Sequence, residues 1–183
     1  MPPRVSIVIP NWNGEAFLAR CVAGTLQSAR SSGLSFDVTV IDDASSDRSA
    51  VRVGETFPDV RILHNQTNLG FGATVNRGAR EVQGDILILL NNDLVPKEAM
   101  IRELVTPLLE DEGVFGVTGK ALEWDGTSAN HLNMSARWRN GGFELVWSDP
   151  AEPAPTMFLL GGCCAMRREE FLRLGGMCHL FAP

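Results

Sequence analysis

Short runs of apolar residues recur along the first half of the chain, and each run is followed by a polar segment. The runs at residues 5–9, 36–41, 60–63 and 86–90 consist mostly of β-branched and aliphatic residues, a composition that predicts four short strands. The run at 86–90 is apolar at every position, as is typical of a strand that is buried on both faces of a sheet.

The segments between these runs have the apolar spacing of helices. Four helices are predicted: the first begins at Glu15, the second ends at about Phe57, the third ends at Gly84, and the fourth begins near Pro96. Pro107 is expected to kink or limit the last of these helices, because a proline inside a helix removes one backbone hydrogen bond. Strands that alternate with helices in this way predict an α/β fold, in which helices cover both faces of a mostly parallel central sheet.

The second half of the chain has a less regular pattern. Residues 114–124 contain one more strand-like run, and residues 125–156 are rich in Gly, Pro, Asn and Ser. We expect the latter to form a long loop or a small hairpin over the site. The sequence MFLLGGCCAMRREEFLRLGG, residues 157–176, predicts a strand, a helix that begins near Arg168, and a stop at Gly175 and Gly176.

Composition narrows the functional classes. A chain of 183 residues, 44% of them hydrophobic, can bury one core and so predicts a single domain. Its net charge of −6 argues against nucleic acid as a partner, because phosphate backbones are bound by basic surfaces. A phosphorylated small molecule remains compatible with this charge if a divalent cation or suitably placed dipoles offset it.

The sequence also lacks signals of export and of membrane insertion. The N-terminal MPPR leads directly into the first strand-like run, so we expect no signal peptide. The longest apolar run is far shorter than the ~20 residues of a membrane helix. The cysteines, at positions 21, 163, 164 and 178, lack CxxC spacing, and we interpret them as reduced thiols of a cytoplasmic protein.

Polar segments follow three of the predicted strands. They are NWNG after the first strand, DDASSD after the second and NNDL after the fourth. The carboxyl ends of parallel strands meet at one edge of a sheet, where ligands of such folds bind. The sequence therefore predicts that these three loops converge on one site.

Asp42 and Asp43 close the second predicted strand. A carboxylate at this place can accept hydrogen bonds from the N–H of a nucleotide base and from ribose hydroxyls. The alternative is a helix N-cap, a role that Ser45 or Asp47 would fill equally well.

Asn91 and Asp93 flank Asn92 after the fourth predicted strand. Alternate residues of an extended chain point to one side, so both side chains are expected to reach one cation. Mg²⁺ and Mn²⁺ prefer oxygen ligands, and Mg²⁺ commonly keeps water or substrate phosphates in its coordination shell. The alternative is an ordinary Asn/Asp turn.

Two further groups of small and polar residues are candidates for the site. The third loop and the following helix contain Asn68, Gly70, Gly72 and Asn76. The glycines permit close backbone approach and the asparagines can hydrogen-bond a sugar, although turn and cap roles explain these residues nearly as well. Gly161 and Gly162 are either a tight strand feature or leave room beside a substrate.

The remaining motifs have ordinary interpretations. GFGATV and GVFGVTGK miss the spacing of dinucleotide and P-loop motifs, so neither NAD binding nor ATP hydrolysis is supported. His64, His131 and His179 lack metal-ligand spacing. The tryptophans are able to stack on sugar faces, although burial in the core is the more common role; they lie at positions 12, 124, 138 and 147.

Taken in order, these motifs resemble those of the family 2 glycosyltransferases. The matching segments, from about residue 4 to the chain end, are VSIVIPNWNG, VIDDASSDRS, NQTNLGFGATVNRG, GDILILLNND and LLGGCCAMRREEFLRLGG. The third segment is similar to the rhamnosyltransferase-like branch, which builds polysaccharides. The resemblance implies a Rossmann-like GT-A fold in one domain, residues 1–183, with a nucleotide-sugar-binding half at about 1–95 and a partial acceptor-binding half at about 96–183.

The resemblance also implies an activity. Members of this family move a sugar, with inversion, from a nucleoside-diphosphate sugar to a hydroxyl acceptor. The implied partners are a UDP-, dTDP- or GDP-sugar donor, a glycan or lipid-linked acceptor, and a Mn²⁺ or Mg²⁺ ion. A lipid-linked acceptor would bring this cytoplasmic protein to the inner face of the membrane.

Site residues follow from the same match. Asp42 matches the acid that contacts the nucleotide base, with Asp43 and Asp47 beside it, and Asp93 matches the principal metal ligand. Asn91 replaces the usual first acid of the DxD motif, which removes one negative charge and leaves a carboxamide as the second metal ligand. The residues implied to bind the nucleotide-sugar are Pro10, Asn11, Asn13, Asp42, Asp43, Asn68, Gly72, Asn76, Asn91, Asn92, Gly161 and Gly162.

The general base of the family has no match in this chain. In the family an acidic ED pair follows GG-x-x-x-x-F, whereas here GGMCHLFAP ends at Pro183 and no acid follows Glu170. We therefore expect the base beyond Pro183 and little or no transfer by this chain alone. Two other hypotheses stay open: a non-catalytic nucleotide-sugar-binding module, and a sugar-1-phosphate nucleotidyltransferase, although PNWNGEAF lacks that class's basic, glycine-rich loop.

Overall fold

The computed structural model describes residues 3–122, 133–148, 150 and 152–178. Within these residues the strands are β1 (Arg4–Asn11), β2 (Ser35–Asp42), β3 (Arg61–His64), β4 (Ile86–Leu90), β5 (Gly116–Thr118), β6 (Asn133–Arg139), β7 (Gly142–Ser148) and β8 (Cys163–Arg167). The helices are α1 (Leu18–Ser32), α2 (Ser49–Thr56), α3 (Phe71–Glu81), α4 (Met100–Glu110) and α5 (Arg168–Arg173).

A six-stranded sheet in the order β3-β2-β1-β4-β8-β5 forms the centre. β1 pairs in parallel with β2 and β4, and β2 pairs in parallel with β3, whereas β8 runs antiparallel to β4 and β5. The mostly parallel sheet that the sequence predicts is confirmed. Because β2 and β3 lie on one side of β1 and β4 lies on the other, the order of strands reverses between β1 and β4.

Strand β4 accounts for the run of five apolar residues. All five side chains are buried, and they alternate between two hydrophobic cores. Ile86, Ile88 and Leu90 pack in the core beneath α1, α2 and α4, whereas Leu87 and Leu89 pack in the core beneath α3 and α5. Burial of each such side chain stabilises the fold by ~1.5–3 kcal/mol. Helices therefore cover both faces of the sheet, as predicted.

Strand β1 extends past its predicted end. Pro10 and Asn11 still pair with β2, opposite Ile41 and Asp42, whereas the pairing with β4 ends at Val8. Proline is tolerated here because its missing N–H is not needed for a ladder with β4. The result is an opening between the ends of β1 and β4.

The second half contains the predicted strands and helix. β5 and β8 complete the sheet, α5 begins at Arg168, and Gly175 and Gly176 follow it with φ of 90° and 74°. Pro107 lies inside α4, which ends soon afterwards at Glu110.

The glycine- and proline-rich segment contains a hairpin, β6–β7, in its described part. One hairpin face is apolar and carries Met134, Ala136 and Trp138 from β6 and Phe143, Leu145 and Trp147 from β7. The rings of Trp138 and Phe143 meet edge to face, with centroids 5.1 Å apart. The predictions for Trp124, His131 and His179 lie outside the described residues. In the described part of the chain, no helix is long and apolar enough to cross a membrane.

Candidate active site

A cleft of about 790 Å³ lies at the carboxyl ends of β1, β2 and β4, where the strand order reverses. This is the place at which open α/β sheets bind their ligands. The loops after all three strands contribute to it, as the sequence predicts. Its lining residues are Pro10, Asn11, Trp12, Asp43, Asn68, Leu69, Gly70, Phe71, Gly72, Ala73, Thr74, Asn91, Asn92, Asp93, Met177 and Cys178.

Asn11 joins the three loops from within. It is 1% exposed, and its Nδ2 donates to Asp42 Oδ1 at 3.0 Å and to Ser49 Oγ at 2.9 Å. Its Oδ1 accepts a hydrogen bond from Asn92 Nδ2 at 2.8 Å. Asn11 therefore has a structural role in the site, and because it also lines the cleft, its contact with the nucleotide-sugar stays a prediction.

Asp42 does not line the cleft. Its side chain is buried behind the wall, where Oδ1 accepts from Asn11 and Oδ2 accepts from the Ser45 N–H at 3.3 Å. His64 Nδ1 lies 3.3 Å from the same Oδ2. Asp42 is not among the residues that line the cleft, so these bonds give it a structural role, and its contact with a nucleotide base stays a prediction.

Asp43 is the acid at the cleft wall. Its Oδ1 accepts hydrogen bonds from Asn65 Nδ2 at 2.6 Å and from the Leu69 N–H at 2.8 Å. Its Oδ2 accepts one from the Gly70 N–H at 2.9 Å. Asp43 thus folds the β3–α3 loop around itself, and that loop forms one side of the cleft.

The loop after β4 is a turn rather than an extended segment. The Leu94 N–H donates to the Asn91 carbonyl at 3.3 Å, which reverses the chain across Asn92 and Asp93. The expectation that alternation places Asn91 and Asp93 on one side is therefore wrong in its geometry. Both residues nonetheless line the same cleft, because the turn itself faces it.

The donor set of this turn suits a cation only in part. No group of three or more His, Cys, Asp or Glu side chains is placed to hold a metal ion in the described ranges. Asp93 is an exposed carboxylate at the cleft, and the carboxamides of Asn91 and Asn92 line the same wall. Such a set fits Mg²⁺ or Mn²⁺ if a bound diphosphate and water supply the remaining oxygen ligands.

Three predicted asparagines have structural partners. Asn13 Oδ1 accepts from the Ser46 N–H at 2.9 Å, and Asn13 is absent from the cleft wall. Asn68 lines the cleft and its Oδ1 accepts from the Gly70 N–H at 2.9 Å. Asn76 is 1% exposed and bonds the backbone of Met177 instead of facing the cleft.

The predicted glycines make room for protein atoms. A Cβ on Gly162 would lie 2.8 Å from Asn91 Nδ2, and a Cβ on Gly161 would lie 3.4 Å from Met177 Cε. Gly72 lies at the cleft and also meets Met177. Of the two interpretations, the structure supports close packing at Gly162, whereas a Cβ on Gly161 would make an ordinary van der Waals contact.

Sequence reasoning missed several apolar residues of the cleft. Leu69 and Phe71 are 43% and 45% exposed, and both line the cleft together with Met177 and Cys178. Trp12 also lines it and is 59% exposed. The available signal was the position of Leu69 and Phe71 inside a polar loop, where no core is present to bury them.

The expectation of core tryptophans is wrong for the three that the structure describes. Trp12, Trp138 and Trp147 are each more than half exposed. Trp12 follows the end of β1, and the other two lie on the apolar face of the two-stranded hairpin.

All four cysteines are free thiols, as predicted. Burial raises the pKa of Cys21 and of Cys164 from 9.0 to about 12, and that of Cys163 to about 11. Cys178 is exposed and lines the cleft. The buried thiols therefore stay protonated near neutral pH and act as small apolar side chains.

Comparisons with known proteins identify relatives that match most of this chain. The family model described as "Glycosyl transferase family 2" matches residues 6–175. An uncharacterized glycosyltransferase of Haemophilus influenzae is 28% identical over 185 residues, covering 94% of this chain and 56% of that protein. An undecaprenyl-phosphate 4-deoxy-4-formamido-L-arabinose transferase of Pectobacterium carotovorum is 32% identical over 146 residues, covering 75% of this chain and 44% of that protein.

A solved structure shares the fold. It is a mannosyltransferase from Pyrobaculum calidifontis in complex with GDP-Man and Mn²⁺, with a TM-score of 0.68 and 19% identity. The match covers 97% of this chain and 48% of the other. The Rossmann-like GT-A fold that the sequence predicts is confirmed. The chain spans about half the length of the relatives it matches.

Proposed function

This chain belongs to the family 2 glycosyltransferases, and from that premise we propose that its cleft serves the transfer of a sugar, with inversion, from a nucleoside-diphosphate sugar to a glycan, lipid-linked or other acceptor. The observation that carries the proposal is the cleft itself, about 790 Å³ in volume, with Asp43 on one side and Asp93 on the other. We assign the carboxylate of Asp43 to the nucleotide's base and ribose, and that of Asp93 to a cation on the diphosphate.

Asp43 is the residue we assign to the nucleotide. A carboxylate has about four acceptor positions, and three hydrogen bonds from Asn65, Leu69 and Gly70 leave capacity for one more donor. The N–H of a base or a ribose hydroxyl is such a donor. Pro10 and Trp12 line the same cleft and provide the apolar surface on which a flat base is able to stack.

Two features suit the diphosphate. The first turn of α3 lines the cleft, and that helix has no side-chain cap among the described residues, so its N–H groups are available to phosphate oxygens. Asp93, with Asn91, would hold a Mn²⁺ or Mg²⁺ ion. When bound, the ion would neutralise the charge that builds on the departing diphosphate.

Transfer to a hydroxyl group needs a proton acceptor, whereas a lipid phosphate attacks with an oxygen that is already ionised near neutral pH. As the acceptor oxygen attacks the anomeric carbon, its proton passes to a general base, and the nucleoside diphosphate leaves with the electrons of the broken C–O bond. Asp43 and Asp93 are the carboxylates among the cleft-lining residues, and both are assigned to the donor. We propose that the base comes from a part of the protein outside the described residues.

A lipid-linked acceptor is the class we favour. The relative from Pectobacterium carotovorum is named for transfer to undecaprenyl phosphate, and 32% identity over 146 residues supports a similar acceptor here. Such an acceptor would place the reaction at the inner face of the membrane. The exposed aromatic residues Trp138 and Phe143 support this place, because aromatic side chains are favoured at membrane interfaces.

A donor screen on the full-length protein tests the proposal. UDP-, dTDP- and GDP-sugars are supplied with Mn²⁺ and a polyprenyl phosphate, and release of nucleoside diphosphate is followed. We expect release with one donor class, and transfer of the sugar into the lipid phase. Nucleotide binding without any transfer would favour the non-catalytic module instead.

The charge of the metal site gives a second test. Asn91→Asp restores the usual acidic pair without a change of size, so we expect tighter Mn²⁺ binding in the presence of nucleoside diphosphate, by about tenfold. Asn91→Leu is the matched variant and should weaken binding. Equal Mn²⁺ affinity in all three proteins would remove Asn91 from the metal site.

A further inference from the structure

Asn76 binds the backbone of a residue 101 positions away. From α3, its Nδ2 donates to the Met177 carbonyl at 2.9 Å, and its Oδ1 accepts from the Met177 N–H at 2.7 Å. The amide is 1% exposed, so water does not compete for these bonds. One side chain thus satisfies both polar backbone groups of Met177, as a neighbouring strand would.

The segment that Asn76 holds is shaped for this contact. Gly176 has φ of +74°, and a Cβ at that position would collide with Asn76 Oδ1. The side chain of Met177 lies against Gly72 and Gly161, whose missing Cβ atoms would each come within 3.4 Å of it. Gly176 therefore leaves the room that the Asn76–Met177 contact requires, and Gly72 and Gly161 lie within van der Waals range of the Met177 side chain.

The same contact completes the cleft. Met177 and Cys178 line it together with the first turn of α3, although they follow α5 at the far end of the described chain. Asn76 itself does not line the cleft. Its effect on a bound ligand must therefore pass through the segment that it holds.

We propose that Asn76 is a positioning residue, which fixes residues 175–178 as a wall of the donor cleft. Its role in sugar transfer is to hold Met177 and Cys178 against α3, rather than to contact the nucleotide-sugar as the sequence predicts. The inference rests on the proposed function only in naming the ligand of the cleft. The pair of hydrogen bonds between Asn76 and Met177, which we call the clamp, is a property of the fold.

The two hydrogen bonds of the Asn76–Met177 clamp can be separated by substitution. Asn76→Asp keeps an oxygen for the Met177 N–H but places a carboxylate oxygen against the Met177 carbonyl. Asn76→Leu has a similar shape and removes both hydrogen bonds. Arg80→Ala, at an exposed position of the same helix, is the control for changes in α3.

Hydrogen exchange tests the clamp without any ligand. In Asn76→Leu we expect the Met177 amide to exchange at least about tenfold faster, because one hydrogen bond is worth about that factor. The amides of Val75 and Ala79 in α3 should keep their protection, and Asn76→Asp should retain part of the protection at Met177. If the Met177 amide of Asn76→Leu exchanges at the wild-type rate, the proposal is overturned.

Alkylation of Cys178 tests the consequence for the cleft. Iodoacetamide near neutral pH should modify Cys178, since the other three thiols are buried. GDP, UDP and dTDP are each added with Mn²⁺, and we expect at least one to slow the modification in wild type and Arg80→Ala, but not in Asn76→Leu. Equal slowing in wild type and Asn76→Leu would overturn the role assigned to Asn76.

The two experiments separate the clamp from the proposed function. If none of the three nucleotides slows alkylation of the wild-type protein, the assignment of the cleft to a nucleoside diphosphate is contradicted. The exchange of the Met177 amide still decides whether Asn76 fixes residues 175–178.

Discussion

Gly162 and Asn91 are in contact behind the cleft. The Gly162 carbonyl accepts a hydrogen bond from the Asn91 N–H at 2.8 Å, and a Cβ on Gly162 would lie 2.8 Å from Asn91 Nδ2. Contacts closer than 3.0 Å force one of the two groups to move. Gly162, the residue before β8, therefore sets the position of the Asn91 side chain, which follows β4.

The first prediction concerns this contact. Gly162→Ala should push Asn91 from its place and weaken the Mn²⁺-dependent part of nucleotide binding by about tenfold, a loss comparable to one hydrogen bond. Titration calorimetry with and without Mn²⁺ measures that part. Gly142→Ala is the control, since a Cβ there meets nothing within 4 Å. Unchanged Mn²⁺ dependence in Gly162→Ala would show that the contact does not set the site.

The second prediction concerns Asp43. Asn at this position presents an NH₂ group toward N–H donors that the carboxylate now accepts, from Leu69 and Gly70. We expect Asp43→Asn to lower the free energy of unfolding by about 2 kcal/mol in urea and to abolish nucleotide binding. Asp59→Asn, at an exposed position, should do neither. Nucleotide binding at wild-type strength by Asp43→Asn would refute the assignment of Asp43 to the base and ribose of the nucleotide.

The third prediction concerns Asn11. Removal of its amide removes the hydrogen bonds to Asp42, Ser49 and Asn92. Asn11→Ala should therefore lower the free energy of unfolding by about 3 kcal/mol, from several lost hydrogen bonds. Gln27→Ala, exposed on α1, should change it little. A small effect of Asn11→Ala in urea unfolding would mean that the three loops are held by other contacts.

The fourth prediction follows from the buried thiols. Burial raises the pKa of Cys21 and Cys164 to about 12 and that of Cys163 to about 11, from 9.0. Between these values the unfolded chain loses protons that the folded chain keeps, so stability falls as pH rises above 9. Urea unfolding at stepped pH measures this fall. The matched variant Cys21→Ala should show a smaller decrease; an equal decrease would exclude Cys21 as a source.

The fold was largely predictable because its strands are short, apolar and bounded by polar loops. The apolar run at 86–90 predicted a buried central strand, and the loops after the first, second and fourth strands converge on the cleft. Parallel topology follows from alternation of strands and helices, which is visible in a single sequence.

Individual side-chain roles were less predictable. Asp42 and Asp43 are adjacent and chemically identical, so composition does not say which one points into the cleft; alternation along the end of β2 decides it. Asn11, Asn13 and Asn76 have the residue type of a sugar ligand but bond protein groups instead. Such contacts join residues far apart in the chain, and no local pattern encodes them.

Thermal unfolding with nucleoside diphosphates tests the central claim most directly. GDP, UDP and dTDP are added to the wild-type protein with and without Mn²⁺, and the melting temperature is recorded. We predict that at least one nucleotide raises it, and that Mn²⁺ enlarges the increase. Asp93→Ala should lose the Mn²⁺-dependent part and keep the rest. If no nucleoside diphosphate raises the melting temperature, with or without Mn²⁺, the cleft is not a nucleotide-sugar site.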